Sequence, residues 1–400
     1  MIVSIKPSKA FGSVLAPPSK SVAHRALICG AFSQKSVIKN IAYSEDIKAT
    51  VRALKALGAS VEEKENEITI GGLLKGKTQK GEINCSESGS TLRFLIPIAL
   101  LKEEEITLTG EGRLLKRPMD VFQELFEKKD VEFSQTPESI RLKGPLKSGR
   151  YLLRGDVSSQ FISGLLFALP NLAENSRIEL TAKLESKPYI DLTRDVLSQF
   201  GIKTSYVSDN IISVEAGSFE SREYTVEGDH SNAAVYYLFN ELGGDVNVTG
   251  LSENSLQGDR VCKEYIEKIK NGETVDLTDC PDLAPVLFAV AAIKGGGRFV
   301  GTRRLKMKES DRIDSMRQEL LKFGIGLTEE ENGVIIESGT LKKPTEALCG
   351  HNDHRIVMAM SALCSFTGGE IEGAEAITKS YPDYFEKIKM LGIDIEKRDA

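Results

Sequence analysis

A chain of 400 residues is longer than one ordinary hydrophobic core sustains, and its length favours two domains. With 40% hydrophobic and 28% charged residues it has the composition of a folded globular protein, and no apolar run approaches the roughly 20 residues of a spanning helix. The 52 basic against 58 acidic residues leave a formal charge of −6. That balance excludes a general nucleic-acid or anionic-membrane binder but not a locally basic pocket.

The first residues, Met1-Ile2-Val3-Ser4-Ile5, alternate like a strand and lack the basic, apolar and small-residue layout of a signal segment. Six times thereafter a short polar stretch runs straight into an apolar, helix-like one. Ser19-Lys20-Ser21 leads into Ala26–Phe32, Ser88-Gly89-Ser90 into Leu92–Leu101, and Ser158-Ser159-Gln160 into Phe161–Leu169. Asp229-His230-Ser231-Asn232 leads into Ala233–Phe239, Pro281-Asp282 into Leu283–Ile293, and Asp353-His354-Arg355 into Ile356–Leu363. Between Ser19, Ser88, Ser158, Asp229, Asp282 and Asp353 the intervals are 69, 70, 71, 53 and 71 residues. A spacing this regular marks an internal repeat.

Each apolar stretch is followed by a short strand, such as Ile106-Thr107-Leu108 or Ile178-Glu179-Leu180, and then by an amphipathic helix. Ile47, Val51, Leu54 and Leu57 form the apolar stripe of one such helix, and Ile313, Met316 and Leu320 that of another. Gly58, Gly201, Gly324 and Gly392 stand where these stripes end. Strand pairs containing Ile68-Thr69-Ile70 or Val334-Ile335-Ile336 close the unit. The predicted fold class is therefore α/β, built from six βαβαββ modules in two groups of three that divide near Glu227-Gly228.

Five of the six apolar helices begin with Ser, Asn, Asp or Gly, which cap well and leave backbone N–H groups free for an anion. Capping alone explains any single one of them. What adds a ligand is the cations in the same segments: Lys20, Arg25, Arg93 and Arg355, joined by Arg113, Arg117, Lys187, Lys308, Arg312 and Lys379 in the second loops. If the modules stack alike, these side chains converge on one face of each domain, and a cationic cleft between domains suits a small ligand with several phosphate or carboxylate groups. Two acids stand among them, Asp282 and Glu309, while Asp311 reads as the cap of the helix that follows. The four histidines, 24, 230, 351 and 354, form no metal-ligand pattern, and His354 is expected to fix the loop that presents Arg355. The six cysteines contain no Cys-x-x-Cys pair and read as buried thiols.

Together these motifs resemble the 5-enolpyruvylshikimate-3-phosphate synthase family along the whole chain. The likeness rests on Pro18-Ser19-Lys20-Ser21 with Arg25, Ser88-Gly89-Ser90 with Arg93, Lys116-Arg117-Pro118, and Val157-Ser158-Ser159-Gln160-Phe161. It continues through Ser186-Lys187-Pro188-Tyr189, Pro281-Asp282, Lys308-Glu309-Ser310-Asp311-Arg312, Asn352-Asp353-His354-Arg355 and Thr378-Lys379. The resemblance implies two similar domains, residues 1–18 with 228–400 and residues 19–227, with the active site in the cleft between them and closure on substrate binding. It implies transfer of the enolpyruvyl group of phosphoenolpyruvate to shikimate 3-phosphate in aromatic amino-acid biosynthesis. Lys20, Ser21, Arg25, Ser158, Ser159, Gln160, Ser186, Tyr189, Asp282 and Lys308 would hold shikimate 3-phosphate. Lys20, Gly89, Arg117, Gln160, Arg312, Arg355 and Lys379 would hold phosphoenolpyruvate. Asp282 would act as base and Glu309 as acid, with Lys20 assisting, and neither a metal nor an organic cofactor is called for.

Arg304 stands where many members of that family have Asn, and Phe94 where some have Pro. Gly89, next to that helix start, leans towards sensitivity to the phosphoenolpyruvate mimic glyphosate. The sister transferase acting on UDP-N-acetylglucosamine carries a reactive Cys in the loop before its Arg-Pro pair, whereas residues 110–118 here contain none. A non-catalytic polyanion-binding repeat would keep the cations and lose Asp282 or Glu309, and an RNA-processing relative would be more basic. A cytoplasmic monomer working on small molecules, without nucleic acid or membrane, is the expectation. The excess acid is expected on outer helices, in stretches such as Glu62–Glu67 and Glu329–Glu331.

Overall fold

The computed structural model describes residues 1–79, 81–102 and 104–399. The chain folds into two compact units, one of Met1–Pro17 with Gly228–Ala400 and one of Pro18–Glu227. The continuous unit holds helices α1 (Lys20–Phe32), α2 (Glu45–Ala56), α3 (Gly89–Ala99), α4 (Asp120–Glu127), α5 (Ser159–Ala168) and α6 (Lys187–Gln199). The discontinuous unit holds α7 (His230–Glu241), α8 (Cys262–Lys270), α9 (Ala284–Ile293), α10 (Arg312–Lys322), α11 (His354–Thr367) and α12 (Tyr384–Met390).

The module is clearest around α3. Strand Glu82–Asn84 runs parallel to Ile106–Thr109 across the helix, and the hairpin Glu132–Gln135 and Ser139–Lys143 follows α4. Ser139–Lys143 pairs antiparallel with Ile106–Thr109, which puts the strands in the order first, second, fourth, third. The same order recurs around α1, α5, α9 and α11. Two sheets borrow a strand from far along the chain. Glu223–Thr225 completes the sheet of the first module, and the N-terminal Ile2–Ile5 completes that of the last, pairing with Gly369–Glu372 and Ile395–Arg398.

The fourth module departs from the expected pattern. Among the described residues its sheet has only two strands, Phe11–Leu15 and Asp245–Thr249, and the closing hairpin is missing after α8. That loss accounts for the one short interval in the repeat, the 53 residues between Asp229 and Asp282.

The two helices of each module do different jobs. In α3 every residue except Ser90 is buried, and in α9 Ala284–Ala292 are all buried, as apolar surface on all sides demands. These central helices pack on one another, α3 on α5 and α9 on α11, and each Leu or Phe removed from water contributes roughly 1.5–3 kcal/mol. The second helices bury one stripe only, as Ile47, Val51 and Leu54 do in α2. Gly58, Gly201, Gly324 and Gly392 end such helices with φ of +108°, +84°, +81° and +102°, a region costly for other residues.

Two expectations are corrected. The acidic stretches lie on strand hairpins, Ser60–Glu63 with Glu67–Gly71 and Leu327–Glu330 with Gly333–Ile336, not on the outer helices, and none of their acids is buried. All six thiols are free, but Cys349 is exposed, because it ends the short edge strand Leu348–Cys349. No helix among the described residues is long and apolar enough to cross a membrane.

Candidate active site

In the continuous unit the polar segments form the N-termini of α1, α3, α5 and α6. Ser19, Ser88 and Ser158 are the caps of the first three, with side chains that accept from Val22, Thr91 and Gln160 N–H. The apolar bodies of these helices hold the ends in place, and specific bonds knit them together. Arg25 is buried and donates through Nε to Thr193 Oγ1 (2.8 Å), through Nη1 to Ser21 O (2.7 Å) and through Nη2 to Tyr189 O (3.0 Å), which joins α1 to α6. Its guanidinium lies 5.3 Å from the centre of the Phe94 ring.

Arg93 Nη1 donates to Gln160 Oε1 (2.8 Å), and Gln160 Nε2 donates to Ser90 Oγ (2.9 Å), joining α3 to α5. A side chain at Gly89 would meet Arg117 Nη1 at 2.5 Å, so glycine is what lets that guanidinium approach the helix end. Burial and the like charge of Arg117 both push Arg93 downward, so an arriving anion is favoured there. Lys20 Nζ sits 2.7 Å from Asp46 Oδ2 of α2. Ser186, with φ +56° ahead of α6, carries the chain round to Tyr189.

In the discontinuous unit Asp282 is the hub. It lies in a 3-10 turn, Pro281–Leu283, immediately before α9. Its Oδ1 is 2.8 Å from Arg312 Nη1 and 3.2 Å from Lys308 Nζ, and its Oδ2 is 3.8 Å from Arg355 Nη2. Burial alone pushes this carboxyl up, yet Lys308, Arg355 and Arg312 together hold it well below the usual carboxylate range. Arg312 also grips Asp353, Nε to Oδ2 at 2.9 Å, while Asp353 caps α11 by accepting from Arg355 N–H. Glu309 Oε2 is 2.9 Å from His354 Nδ1, and Lys379 Nζ donates to Asn352 O (2.7 Å). Asp311 caps α10 through Ile313 and Asp314 N–H.

Glu309, Asp353 and His354 form the only group among the described residues whose ligand atoms gather closely enough for a metal ion, within 4.8 Å. An ion there would have to displace the Arg312 guanidinium and Ser310 hydroxyl from Asp353 and His354 from Glu309, so these groups are committed to hydrogen bonds and ion pairs rather than set out as a metal centre.

The sequence profile described as EPSP synthase (3-phosphoshikimate 1-carboxyvinyltransferase) matches residues 5–388. The chain belongs to the EPSP synthase family. A 3-phosphoshikimate 1-carboxyvinyltransferase of Clostridium perfringens is 41% identical over 418 residues, 98% of each chain. The protein of that name from Clostridium kluyveri is 41% identical over 424 residues, 99% of this chain and 98% of its own. Among solved structures, an EPSP synthase from Acinetobacter baumannii superimposes with a TM-score of 0.80 at 25% identity, over 99% of each chain.

For this family member, every site residue expected from the motifs lies at one of the two constellations. Lys20, Ser21, Arg25, Gly89, Arg117, Ser158, Ser159, Gln160, Ser186 and Tyr189 fall at the helix ends of the continuous unit. Asp282, Lys308, Glu309, Arg312, Arg355 and Lys379 fall in the other unit. Two further cations counted with them lie elsewhere: Arg113 is exposed, and Lys187 pairs with Asp191 at 2.6 Å on the flank of α6. Arg304 is buried with its guanidinium donating to Thr278 O, beside Lys308.

Asp46 and Asp259 were not legible as site residues. Asp46 reads as an ordinary first-turn acid of α2, and only packing shows that it meets Lys20. Asp259, in the 3-10 turn Gly258–Val261, is buried where the charges of Asp282 and Arg355 reach it. Nothing in its local sequence marks it.

Proposed function

We infer that this chain transfers the enolpyruvyl group of phosphoenolpyruvate to the 5-hydroxyl of shikimate 3-phosphate and releases phosphate. The observation that carries the reading is the ring of three cations, Lys308, Arg312 and Arg355, closed on one partly buried carboxylate, Asp282, with the Glu309–His354 pair beside it. Such a set balances substrates that bring several negative charges and still keeps an acid and a base at hand.

In this reading shikimate 3-phosphate takes Ser21, Arg25, Ser158, Ser159, Gln160, Ser186, Tyr189 and Lys308, and phosphoenolpyruvate takes Gly89, Arg117, Gln160, Arg312, Arg355 and Lys379. Lys20 serves both. Glu309, assisted by Lys20, delivers a proton to the methylene carbon of phosphoenolpyruvate, which makes C2 electrophilic. The shikimate hydroxyl oxygen attacks C2 while Asp282 takes its proton. The tetrahedral adduct then loses phosphate from C2 and a proton from the new methyl group, restoring the double bond. In the ligand-free protein Asp282 is a weak base, because its cations stabilise the anion; substrate phosphates and carboxylates neutralise those cations and raise its basicity. The same cations stabilise charge in the transition state.

The test is phosphate release from phosphoenolpyruvate with shikimate 3-phosphate as acceptor, with UDP-N-acetylglucosamine in a parallel reaction. Turnover is expected with the first acceptor only. Turnover confined to the sugar nucleotide would overturn the reading. A cytoplasmic, monomeric enzyme goes with this proposal, and gel filtration of the purified chain tests the monomer.

A further inference from the structure

Beyond the residues that would touch substrate, one buried carboxylate has no part in the chemistry above. Glu319 lies seven positions after Arg312 on α10, two turns along nearly the same face, and both side chains are buried. Arg312 grips Asp353, and Glu319 reaches the chain just before it. Glu319 Oε2 accepts from Cys349 N–H (3.0 Å) and from Lys322 Nζ (3.0 Å), while Oε1 is 2.7 Å from His351 Nε2. A carboxylate only accepts, so Nε2 carries the hydrogen. Burial alone pushes Glu319 up, but the bonds from His351, Lys322 and Cys349 N–H bring it below the usual range, and it stays an anion.

What these bonds hold is an unusual turn. His351 and Asn352 are consecutive non-glycine residues in the left-handed region, with φ of +48° and +53°. Backbone of this kind persists only where its surroundings over-determine it. The turn closes through Asp353 N–H on Gly350 O (2.9 Å), and Gly350 N–H is held by Glu372 O (2.7 Å). The carbonyl it exposes, Asn352 O, is the one that accepts Lys379 Nζ. Immediately after it come Asp353, which Arg312 binds, and Arg355.

We propose that Glu319 is a positioning residue: by clamping the left-handed His351–Asn352 turn from α10, it sets the register of Arg355 and Lys379 for the phosphoenolpyruvate carboxylate and phosphate. The proposal rests on the enolpyruvyl-transfer reading, so the unaltered enzyme is assayed first. If it releases no phosphate from the two substrates, that reading fails; if it does and the variants below behave normally, only the role of Glu319 fails.

Glu319→Gln keeps the shape but loses the charge. Its KM for phosphoenolpyruvate is expected to rise about tenfold, the loss of one charge-assisted bond. The KM for shikimate 3-phosphate and kcat stay within about twofold on the same principle that only one ligand's contacts are displaced. Adding Asn352→Gly, which makes the left-handed turn easy without the clamp, is expected to restore most of the phosphoenolpyruvate KM. An unchanged KM in folded Glu319→Gln overturns the proposal. So does a joint fall in kcat, both affinities and melting temperature that glycine does not rescue, because that marks general structural damage. If Glu319→Gln does not fold, His351→Ala decides, and a phosphoenolpyruvate KM equal to that of the unaltered enzyme overturns the proposal.

Discussion

Arg312 Nη1 stands 2.8 Å from Asp282 Oδ1, while Nε of the same guanidinium stands 2.9 Å from Asp353 Oδ2. One buried arginine thus fixes both the proposed base and the cap of α11 that carries Arg355, and the planar fork of Arg suits two carboxylates as a single ammonium does not.

Asp282→Asn follows from that relationship. The amide still accepts from Arg312 through its oxygen but no longer takes a proton. A fall in kcat of about 10²–10⁴-fold is expected, the usual worth of a positioned general base. Isothermal titration should find shikimate 3-phosphate bound nearly as before. Unchanged turnover would remove Asp282 from the chemistry.

Gly89→Ala places a methyl group 2.5 Å from Arg117 Nη1. The end of a flexible side chain gives way, so the fold survives and the guanidinium moves off the helix end. The KM for phosphoenolpyruvate should rise about tenfold, or ~1.4 kcal/mol, in steady-state kinetics. An unaltered value would show that Arg117 does not serve that ligand.

Arg25→Lys exchanges three directed bonds, to Thr193, Ser21 and Tyr189, for one point charge. The link between α1 and α6 loosens, and the KM for shikimate 3-phosphate is expected to rise roughly 10–100-fold, within the range of charge-assisted bonds. The KM for phosphoenolpyruvate should hardly move. Equal loss for both substrates would argue against a shikimate-phosphate role.

Asp259 gives stability an unusual pH slope. Burial first, and then the charge of Asp282, pushes its carboxyl up to about 6, against an unfolded value of about 4. Between those values the folded chain binds more protons than the unfolded one at this site, so this contribution to stability falls as pH rises towards and through 6. Asp282 has the opposite sign: its value is depressed, and its contribution is lost as pH drops below about 4. Asp259→Asn should therefore gain in urea midpoint over the unaltered chain at pH 7.5 relative to pH 4.5. The same difference at both pH values would contradict this.

Much of the molecule was legible because it is written locally. The repeat, the apolar central helices, the Ser and Asp caps at Ser19, Ser88, Ser158, Asp229 and Asp353, and the cations beside them all depend on neighbours within a turn or two. The sequence by itself determined the α/β class, the modular plan and the chemistry offered at the helix ends. What joins those ends depends on residues far apart in the chain, and tertiary structure alone decided it. Ile2–Ile5 completes a sheet with Gly369–Glu372, Arg25 meets Thr193, Lys20 meets Asp46, and Asp259 is buried near Asp282. The fourth module shows the limit from the other side: its short interval was visible, but that it stops at two strands depended on what pairs with Asp245–Thr249. The clamp of Glu319 on a left-handed turn 32 residues away, with no local signal at either end, belongs to the same class. Helix caps and apolar periods are short-range physics, whereas burial of a charge is set by whatever the fold brings to it.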